Sequence, residues 1–414
     1  MKQLWIFNQY AITPEQYGGT RHFDLATTLF HFGYKTTIFA SSFNHVSHRE
    51  TRTYASGSHL VEDIFGIRFV WLKTLSYEKK YLRRLASMLD YSIKALRCSR
   101  LEELGNPDIV IGSSVHLFAV YIAKLVAMRF GVPFLMEVRD LMPKTLIDMG
   151  ISKYHPYVML MGVLEKHLYQ KAIRIITLLP DSGEYIASLG IPPEKVIWIS
   201  NGVDLKRFDE NVRRSGNTQG KKPGTFMILH AGSMSMANNL IVALDAAAIL
   251  SKANHLINFV FVGGGVDRHE LEAYVRAKNL VNVTFRDLVS KNEVPGLLAD
   301  ADALLILFKG LGLYKYGVSA NKLFDYLAAG KPILYSASLK KNIVEEAGAG
   351  ITAPPDDPQA LADAVLRLYH MSAWERERLG SNGRAYVEKY YSMEVLGESF
   401  KSVLESELQA NKKY

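Results

Sequence analysis

Short apolar runs alternate with amphipathic stretches along nearly the whole chain. The runs are almost continuously hydrophobic, which is typical of parallel strands that helices cover on both faces. In the first half, strands are predicted at Leu4–Phe7, Thr36–Phe39, Arg68–Trp71, Asp108–Gly112, Phe134–Val138, Arg174–Leu178 and Val196–Ile199. Helices are predicted among them at Thr20–Phe32, Lys80–Glu103, Leu117–Phe130 and His155–Lys171. This order indicates a doubly wound sheet.

The second half repeats the alternation. Strands are predicted at Met227–Ala231, Asn258–Val262, Val283–Phe285, Ala303–Leu307 and Pro332–Leu334. Helices are predicted near Asn239–Ser251, Asp267–Lys278, Glu293–Ala299 and Lys322–Ala329, and then at Ala360–His370, Ala373–Lys389 and Met393–Leu408. The fold class is therefore α/β, with two doubly wound, Rossmann-like domains.

The division of the chain follows from its length and from one polar stretch. A length of 414 residues favours two domains over a single core. The stretch 205–224 is polar and rich in Gly and Lys, which is typical of a linker or an exposed insertion. We therefore expect an N-terminal domain over residues 1–204 and a C-terminal domain over residues 225–389.

The composition is that of an ordinary soluble globular protein, with 48% hydrophobic and 22% charged residues. The single cysteine, Cys98, excludes an intrachain disulfide and fits a reducing cytoplasm. The apolar run Leu4–Phe7 is too short for a signal peptide and lacks its basic flank. No apolar run approaches the roughly 20 residues that span a bilayer. We expect a cytoplasmic protein that is not integral to a membrane.

The formal charge of +8 suits an anionic partner, such as nucleic acid, an anionic membrane or a phosphorylated ligand. A basic stretch begins at Lys79 and Lys80 and ends at Arg100. Its apolar residues share one helical face, namely Leu82, Leu85, Leu89, Ile93 and Leu96. This pattern is typical of a helix on an anionic membrane, and also of a helix docked on a core. Nucleic-acid binding is not expected, because the aromatic residues do not interleave with the cations.

The most informative segment runs from Val318 to Pro332, between two predicted strands. It begins with a loop and continues as a helix, which Ser319 or Asn321 can cap and Gly330 can end. A helix N-terminus after a loop favours an anion, because its free N–H groups and its dipole both point there.

Two side chains of this helix suit a nucleotide. Lys322 lies in the first turn, where its ammonium group can reach a phosphate. Asp325 lies one turn further along the same face and can accept hydrogen bonds from a sugar hydroxyl. A phosphate and a ribose together indicate a nucleotide ligand.

The segment resembles the nucleotide-sugar loop of family-4 retaining glycosyltransferases with the GT-B fold. The resemblance is strongest to bacterial enzymes of O-antigen and capsule synthesis, such as N-acetyl-fucosamine transferases. Their pattern reads roughly Gly-x-Ser-Pro-x-Lys-x-x-Glu-Tyr-x-Ala-x-Gly-Lys-Pro, here with Ala320 for the proline and Asp325 for the glutamate. The resemblance implies two domains facing a cleft, with a C-terminal helix at about 390–414 that crosses back to the first domain. It also implies a donor site that includes Ser319, Asn321, Lys322 and Asp325.

In the first domain the resemblance extends to three further places. Gly18 and Gly19 are similar to the family's glycine loop over the diphosphate. His116 follows a predicted strand and resembles the histidine that contacts the transferred sugar; a helix cap or a packed histidine is the alternative. The run Glu137-Val-Arg139-Asp140 resembles the subfamily's Glu-x-Arg-Asp-x-x-Pro. These three charged residues can serve acceptor binding or pair with one another.

The second domain departs from the family pattern at three positions. Most relatives carry an arginine and a lysine that clamp the diphosphate, where this chain has Ser233 and Asn238. The first glutamate of the pattern Glu-x(7)-Glu falls on Gly317, which has no side chain. The phosphate charge is therefore left to Lys322 and the helix dipoles, with Ser233 donating a neutral hydrogen bond.

Three shorter motifs add detail. The resemblance implies that the donor base is held by backbone groups near Leu288. The glycines at 263–265 either border the diphosphate or form a tight turn. Asp300-Ala-Asp302 fits a metal-binding pattern but leads directly into a buried strand, so we interpret it as the start of that strand and expect no metal site.

The resemblance implies a retaining glycosyltransferase that needs no cofactor. It would move a sugar from a UDP-sugar donor to an undecaprenyl-diphosphate-linked saccharide, at the inner face of the cell membrane. His116 and Lys322 would be its catalytic residues. Two alternatives stay open, a UDP-N-acetylglucosamine 2-epimerase on the same fold and a non-catalytic nucleotide-binding protein.

Overall fold

The structure, a computed structural model, describes residues 1–77, 81–114, 116–215, 224–253 and 256–411. The chain divides into two compact units. The first unit contains Met1–Asn201, the short segment Tyr316–Ser319 and the chain from Met393 onward. The second unit contains Gly202–Lys315 and Ala320–Ser392.

The elements of the first half begin with the strands β1 (Lys2–Phe7), β2 (Tyr34–Ser41), β3 (Phe43–Asn44), β4 (Arg49–Glu50), β5 (His59–Ile64), β6 (Ile67–Leu72), β7 (Ile109–Ser114), β8 (Phe134–Val138), β9 (Arg174–Thr177) and β10 (Val196–Trp198). The helices of this half are α1 (Arg21–His31), α2 (Tyr81–Cys98), α3 (Leu117–Phe130), α4 (Lys144–Asp148), α5 (Pro156–Lys171) and α6 (Ser182–Ser188).

The second half has the strands β11 (Phe226–Ala231), β12 (Ile257–Val262), β13 (Val283–Arg286), β14 (Ala303–Leu307), β15 (Ile333–Ser336) and β16 (Gly350–Ala353). Its helices are α7 (Leu205–Ser215), α8 (Leu240–Ala253), α9 (Arg268–Ala277), α10 (Val294–Asp300), α11 (Asn321–Ala328), α12 (Ile343–Glu346), α13 (Pro358–His370), α14 (Ala373–Tyr390) and α15 (Met393–Asn411).

The main sheet of the first unit has, among the described residues, eight strands in the order β10-β9-β8-β7-β1-β2-β6-β5. Neighbouring strands are parallel except β5 and β6, which form an antiparallel hairpin. Leu4 and Ile6 of β1 belong to one apolar core, whereas Trp5 and Phe7 belong to another. Successive residues of a strand point to opposite faces, so helices cover both faces of this sheet.

The sheet of the second unit has six parallel strands among its described residues, in the order β13-β12-β11-β14-β15-β16. The strand order reverses between β11 and β14. Ligands of doubly wound sheets bind beyond the carboxyl ends of the strands at such a reversal. The predicted α/β class with two doubly wound, GT-B-type sheets is confirmed.

Helix α3 packs tightly on the first sheet because Gly112 of β7 has no side chain. A Cβ at position 112 would lie 2.8 Å from the Cα of Val120. Helix α3 begins immediately after His116, so this packing fixes the histidine at the carboxyl end of β7.

Helix α15 belongs to the first unit, where it packs against α1. Gly397 lies so close to Thr28 that a Cβ would be 2.4 Å from its Cγ2. Arg174 pairs with Glu407 at 2.6 Å and ties the same helix to β9. The last helix is thus held by packing and by charge.

The stretch expected to be a linker differs from the prediction in its first half. Residues Leu205–Ser215 form α7, in which Phe208 is buried and Asp209 accepts two hydrogen bonds from Arg384. The polar composition arises because most residues of α7 are only partly buried. Residues 216–223 of the predicted linker lie outside the described residues, as do Lys79 and Lys80 of the basic stretch. Among the described residues, no helix combines the length and the hydropathy that crossing a bilayer requires.

Candidate functional site

Lys322 occupies the first turn of α11 and lies above the loop that follows β11. Its Nζ donates a hydrogen bond of 2.6 Å to Oδ1 of Asn238. The same Nζ is 3.3 Å from the point where a Cβ would stand at Gly232. Burial lowers the pKa of Lys322 to about 7. An anion bound beside Gly232 would therefore restore the charged form, since an opposite charge favours ionisation.

The N-terminus of α11 carries no side-chain cap among the described residues. The capping prediction for Ser319 or Asn321 is wrong, because Ala320 is the N-cap residue and Asn321 is the first helical residue. Ser319 is used elsewhere: its Oγ accepts from the backbone N of Asn201 at 2.9 Å and lies 3.0 Å from Oγ of Ser200. The first N–H groups of α11 are consequently left for solvent or a ligand.

The glycines at 263–265 lie directly against the loop after β11. A Cβ at Gly263 would be 2.0 Å from the carbonyl oxygen of Gly232, and one at Gly265 would be 2.1 Å from that of Met234. Gly232 itself has a φ of 153°. Leu288 lies beyond β13, with Cδ1 3.2 Å from the Cβ position of Gly264. The triple glycine thus allows close backbone packing against this loop, a role that the sequence analysis did not name.

Asp325 is buried and forms an ion pair with Lys291, a residue that the sequence analysis missed. The lysine comes from the loop between β13 and α10, so only the fold brings it to α11. Ser233 is exposed at the end of β11, next to Gly232. The predicted donor residues Ser233, Leu288, Asn321, Lys322 and Asp325 all belong to the second unit.

His230 is a second group that the sequence analysis missed. It lies on β11 and is fully buried, and its Nδ1 donates to the carbonyl oxygen of Leu305 at 3.0 Å. Its Nε2 is 3.8 Å from the Cβ position of Gly232, on which Lys322 also converges. Burial and the nearby Lys322 lower the pKa of His230 to about 3.

In the first unit, His116 is the N-cap residue of α3. Its Nδ1 accepts a hydrogen bond of 3.2 Å from the backbone N of Ala119, as the capping alternative predicts. The neutral ring must then carry its proton on Nε2, which has no hydrogen-bond partner among the described residues. The rings of Tyr10 and Tyr91 flank it edge-on. Burial and Arg84 lower the pKa of His116 to about 3, so it remains a neutral donor.

Glu137 is buried within a network that the sequence analysis missed. Arg21 Nε and His22 Nε2 each donate to one of its oxygens at 2.9 Å, and Ser113 Oγ donates at 2.8 Å. Although burial opposes it, Arg21 and His22 hold the pKa of Glu137 well below its usual value. Arg21 also donates to the carbonyl oxygen of Ile199 at 3.0 Å. The sequence left open whether Glu137 binds the acceptor or forms an ion pair with its neighbours. It forms an ion pair, but with Arg21 and His22 of α1.

The remaining predicted residues of this unit lie at the same edge of the sheet. The backbone N of Arg139 donates to Oγ of Ser114 at 3.1 Å. Burial lowers the pKa of Arg139. Asp140 is exposed next to it. Gly18 has a φ of 132°, and a Cβ there would be 3.0 Å from Ile12 Cδ1. Gly19 does not have a positive φ.

The Asp300-Ala-Asp302 motif starts a strand, as interpreted. Oδ2 of Asp302 accepts a hydrogen bond of 2.8 Å from the backbone N of Met227 and so connects β14 to β11. No cluster of His, Cys, Asp or Glu in the described part of the chain is arranged to hold a metal ion.

Two family models match the chain. The "Glycosyl transferase 4-like domain" matches residues 18–202, and "Glycosyl transferases group 1" matches residues 225–371. The probable glycosyltransferase WbjE of Pseudomonas aeruginosa is 25% identical over 322 residues, which cover 74% of this chain and 76% of that protein. The putative colanic acid biosynthesis glycosyl transferase WcaI of Escherichia coli (strain K12) is 22% identical over 313 residues, which cover 72% and 76%.

A solved structure supports the same fold. The crystal structure of Anabaena Alr3699/HepE in complex with UDP and glucose superposes with a TM-score of 0.68 at 15% identity. The superposition covers 98% of this chain and 100% of that one. At this identity the likeness concerns the fold.

Proposed function

Because this chain belongs to the family-4 glycosyltransferases of the GT-B fold, we propose that it moves a sugar from a UDP-sugar to a lipid-linked saccharide with retention of anomeric configuration. The observation that carries the proposal is the ammonium group of Lys322, which lies beside Gly232 and the uncapped start of α11. A partly desolvated cation beside free N–H groups is suited to the diphosphate of a nucleotide sugar.

The chemistry proposed for this site is stabilisation of the leaving group. As the bond between sugar and diphosphate breaks, negative charge develops on the phosphate oxygens. Lys322 and the N–H groups of α11 would stabilise that charge without reorganising, which is the usual source of electrostatic catalysis. The acceptor hydroxyl would then attack from the face that the diphosphate leaves. UDP in the HepE structure supports the choice of nucleotide.

Asp325 is the proposed ribose ligand. Its carboxylate already pairs with Lys291, which fixes its rotamer. An ionised carboxylate forms stronger hydrogen bonds with hydroxyls than a neutral acceptor does. Lys291 would thereby orient the carboxylate toward the ribose.

His116 is proposed to hold a hydroxyl of the transferred sugar. Its Nε2–H is buried and finds no acceptor among the described residues. A buried donor without an acceptor is unfavourable, so a ligand oxygen in this position would be stabilised. Glu137 would act by fixing α1 and β8, while Arg139 and Asp140 remain the proposed acceptor contacts. Gly18 and Gly19 remain proposed contacts to the donor diphosphate.

The acceptor is proposed to be membrane-borne, and helix α2 supports this. Three residues of its apolar stripe are exposed, with Leu82 at 76%, Leu89 at 43% and Ile93 at 53%, whereas Tyr91 and Ala95 on the opposite face are buried. Leu85 is half-buried and Leu96 packs against a core of the first unit, so the stripe docks on that core only in part.

A groove of about 440 Å³ adjoins the stripe between α2 and α3. Arg97 and Arg100 line it, and neither forms an ion pair within the described part of the chain. Exposed apolar residues beside unpaired arginines suit the surface of an anionic bilayer. The enzyme would then work at the inner face of the cell membrane on an undecaprenyl-diphosphate-linked saccharide.

Turnover measurements test the proposal. Purified protein is incubated with a panel of UDP-hexoses and UDP-N-acetylhexosamines and with undecaprenyl-diphosphate-linked saccharides. The mass of the lipid product is then measured by mass spectrometry. We expect a mass increase of one sugar, with the α-linkage of the donor retained in the NMR spectrum. Epimerisation of UDP-N-acetylglucosamine without an acceptor would favour the 2-epimerase, and UDP binding without any conversion would favour a non-catalytic protein.

A further inference from the structure

His230 and Lys322 face the same point above Gly232 from two different elements. Lys322 Nζ is 3.3 Å and His230 Nε2 is 3.8 Å from the position where a Cβ would stand at Gly232. Gly232 leaves this point free, and the imidazole is fully buried beneath it. The two nitrogen atoms therefore border one small space at the carboxyl end of β11.

The hydrogen bond to Leu305 fixes how the imidazole can act. A carbonyl oxygen only accepts, so Nδ1 carries the proton of the neutral ring and Nε2 has a lone pair. Nε2 forms no hydrogen bond of normal geometry within the described residues, although the backbone of Ser233 lies near it. If the ring takes up a proton, Nε2 becomes a charged donor while the bond to Leu305 persists.

The two positions at which most relatives carry the diphosphate-binding cations are neutral here. Ser233 is neutral, and Asn238 accepts a hydrogen bond from Lys322 and adds no charge. A nucleoside diphosphate carries at least two negative charges, and a single ammonium group balances only one of them. A second positive charge close to Gly232 would therefore favour binding.

We propose that His230 is a second diphosphate-binding residue, which takes up a proton when the diphosphate of the donor binds and donates it from Nε2 to a phosphate oxygen. This inference rests on the proposed function, because it concerns the donor of the same site. No co-reactant is needed, since the proton comes from solvent and returns when the diphosphate leaves.

The surroundings of His230 are consistent with protonation only in the bound state. On α11, Lys322 disfavours the charged ring in the empty site. From the same helix, Tyr326 binds the backbone of Ala231 through its hydroxyl and carries no charge at neutral pH. Phe261 of β12, the Leu305 carbonyl of β14 and the backbone of Ser233 also lie beside the ring. Lys322 alone balances the negative charge of a bound diphosphate only in part. The remaining negative charge would favour the protonated form of His230.

Two substitutions separate the ligand role from a packing role. His230→Asn keeps an amide N–H near the position of Nδ1, where it can still donate to Leu305, but removes Nε2. His230→Gln places a neutral amide donor near the position of Nε2. The thermal unfolding of each variant is first compared with that of the wild type. The affinity for uridine, which lacks phosphates, then reports on the rest of the nucleotide site.

The experiment is calorimetric titration of the full chain with UDP at pH 6, in two buffers of different ionisation enthalpy. At this pH Lys322, whose pKa is about 7, is already mostly protonated, and the terminal phosphate of UDP, whose second pKa is about 6, titrates in both proteins alike. The difference in proton uptake between the wild type and His230→Asn therefore reports on His230. We expect the wild type to take up nearly one proton per UDP more than His230→Asn, which should bind UDP roughly tenfold more weakly, with unchanged uridine binding and partial recovery in His230→Gln.

The outcomes are distinguishable. Equal UDP affinity and equal proton uptake in wild type and His230→Asn would overturn the inference and leave the proposed function intact. If the wild type bound no nucleoside diphosphate at all, the proposed function itself would fail, and the inference with it.

Discussion

Gly317 packs so closely on Pro180 that a Cβ at position 317 would lie 2.5 Å from both Cδ and Cγ of the proline. The glycine also has a φ of 91°, a conformation that favours glycine over other residues. Both residues belong to the first unit, which includes the segment Tyr316–Ser319. The glutamate that relatives carry at this position therefore cannot be accommodated without moving the loop.

Gly317→Ala should lower the free energy of unfolding by about 2–4 kcal/mol, because it combines left-handed backbone strain with overlap onto Pro180. Urea unfolding monitored by circular dichroism measures the loss. Gly312→Ala is the matched control, since a Cβ there meets no described atom within 4 Å. Equal stability of the two variants would mean that the loop is free to leave Pro180.

Glu165 should make the protein less stable as the pH rises toward 8. Burial raises the pKa of this carboxyl to about 8, while hydrogen bonds of 3.0 and 2.8 Å from Tyr169 and Tyr185 limit the increase. The folded state then binds more protons than the unfolded state between about pH 4.5 and pH 8, so stability is complete below this window and decreases through it.

The pH dependence of Glu165→Gln tests this sign. Glutamine resembles the protonated acid, so the variant should lose on the order of 3 kcal/mol less stability than the wild type between pH 5 and pH 8. The exposed Glu194→Gln serves as the control and should follow the wild type. Parallel curves for Glu165→Gln and wild type would show that the carboxyl is ionised when folded.

Lys291 and Asp325 should act together in nucleotide binding. Asp325→Asn should weaken UDP binding by roughly tenfold, because a charged hydrogen bond to a hydroxyl contributes about 1.5–3 kcal/mol. Lys291→Ala leaves the buried carboxylate unpaired and should lower the free energy of unfolding by about 3 kcal/mol. Titration calorimetry measures the UDP affinity, and urea unfolding measures the free energy of unfolding. Asp363→Asn on α13 is the control. Unchanged UDP affinity in Asp325→Asn would place the ribose elsewhere.

Arg83 and Arg97 of α2, together with Arg100 just after it, should govern binding to anionic membranes. Replacing Arg83, Arg97 and Arg100 with Gln should weaken binding to phosphatidylglycerol vesicles by about a hundredfold, since each cation near the surface contributes about 1 kcal/mol. Sedimentation with the vesicles measures the affinity. The control replaces Lys206, Arg276 and Lys278, which are exposed in the second unit and change the net charge equally. If both triple variants bound alike, only the net charge would matter.

The sequence predicted most of the parallel strands because each is a continuous apolar run, but it missed the short β16. It also missed β5, whose residues are only partly buried and lack a clear alternation. The hairpin to β6 turns at Phe65 and Gly66, both with positive φ, and a phenylalanine in that position gives no turn signal. It also mistook α7 for a linker, because a polar, partly buried helix and a linker have similar compositions.

The candidate site was predictable only in part. Lys322 and Asp325 are in a contiguous motif, so their spacing on one helix was visible. Their partners Asn238 and Lys291 are distant in sequence, and only the fold brings them to α11. Likewise Glu137 was visible as a charged residue at a strand end, whereas Arg21 and His22 are recognisable as its partners only after α1 is placed on the sheet. Long-range polar partners leave no local pattern.

The central claim is that Lys322 and the start of α11 bind the diphosphate of a UDP-sugar. The most direct test is calorimetric titration with UDP, GDP, ADP and NAD, on the wild type and on Lys322→Met, with the exposed Lys278→Met as the control. We predict selective UDP binding that weakens more than tenfold in Lys322→Met and is unchanged in Lys278→Met. Above pH 7 the affinity of the wild type should fall, because the free lysine loses its proton there. Wild-type affinity in Lys322→Met, or a preference for NAD, would contradict the account.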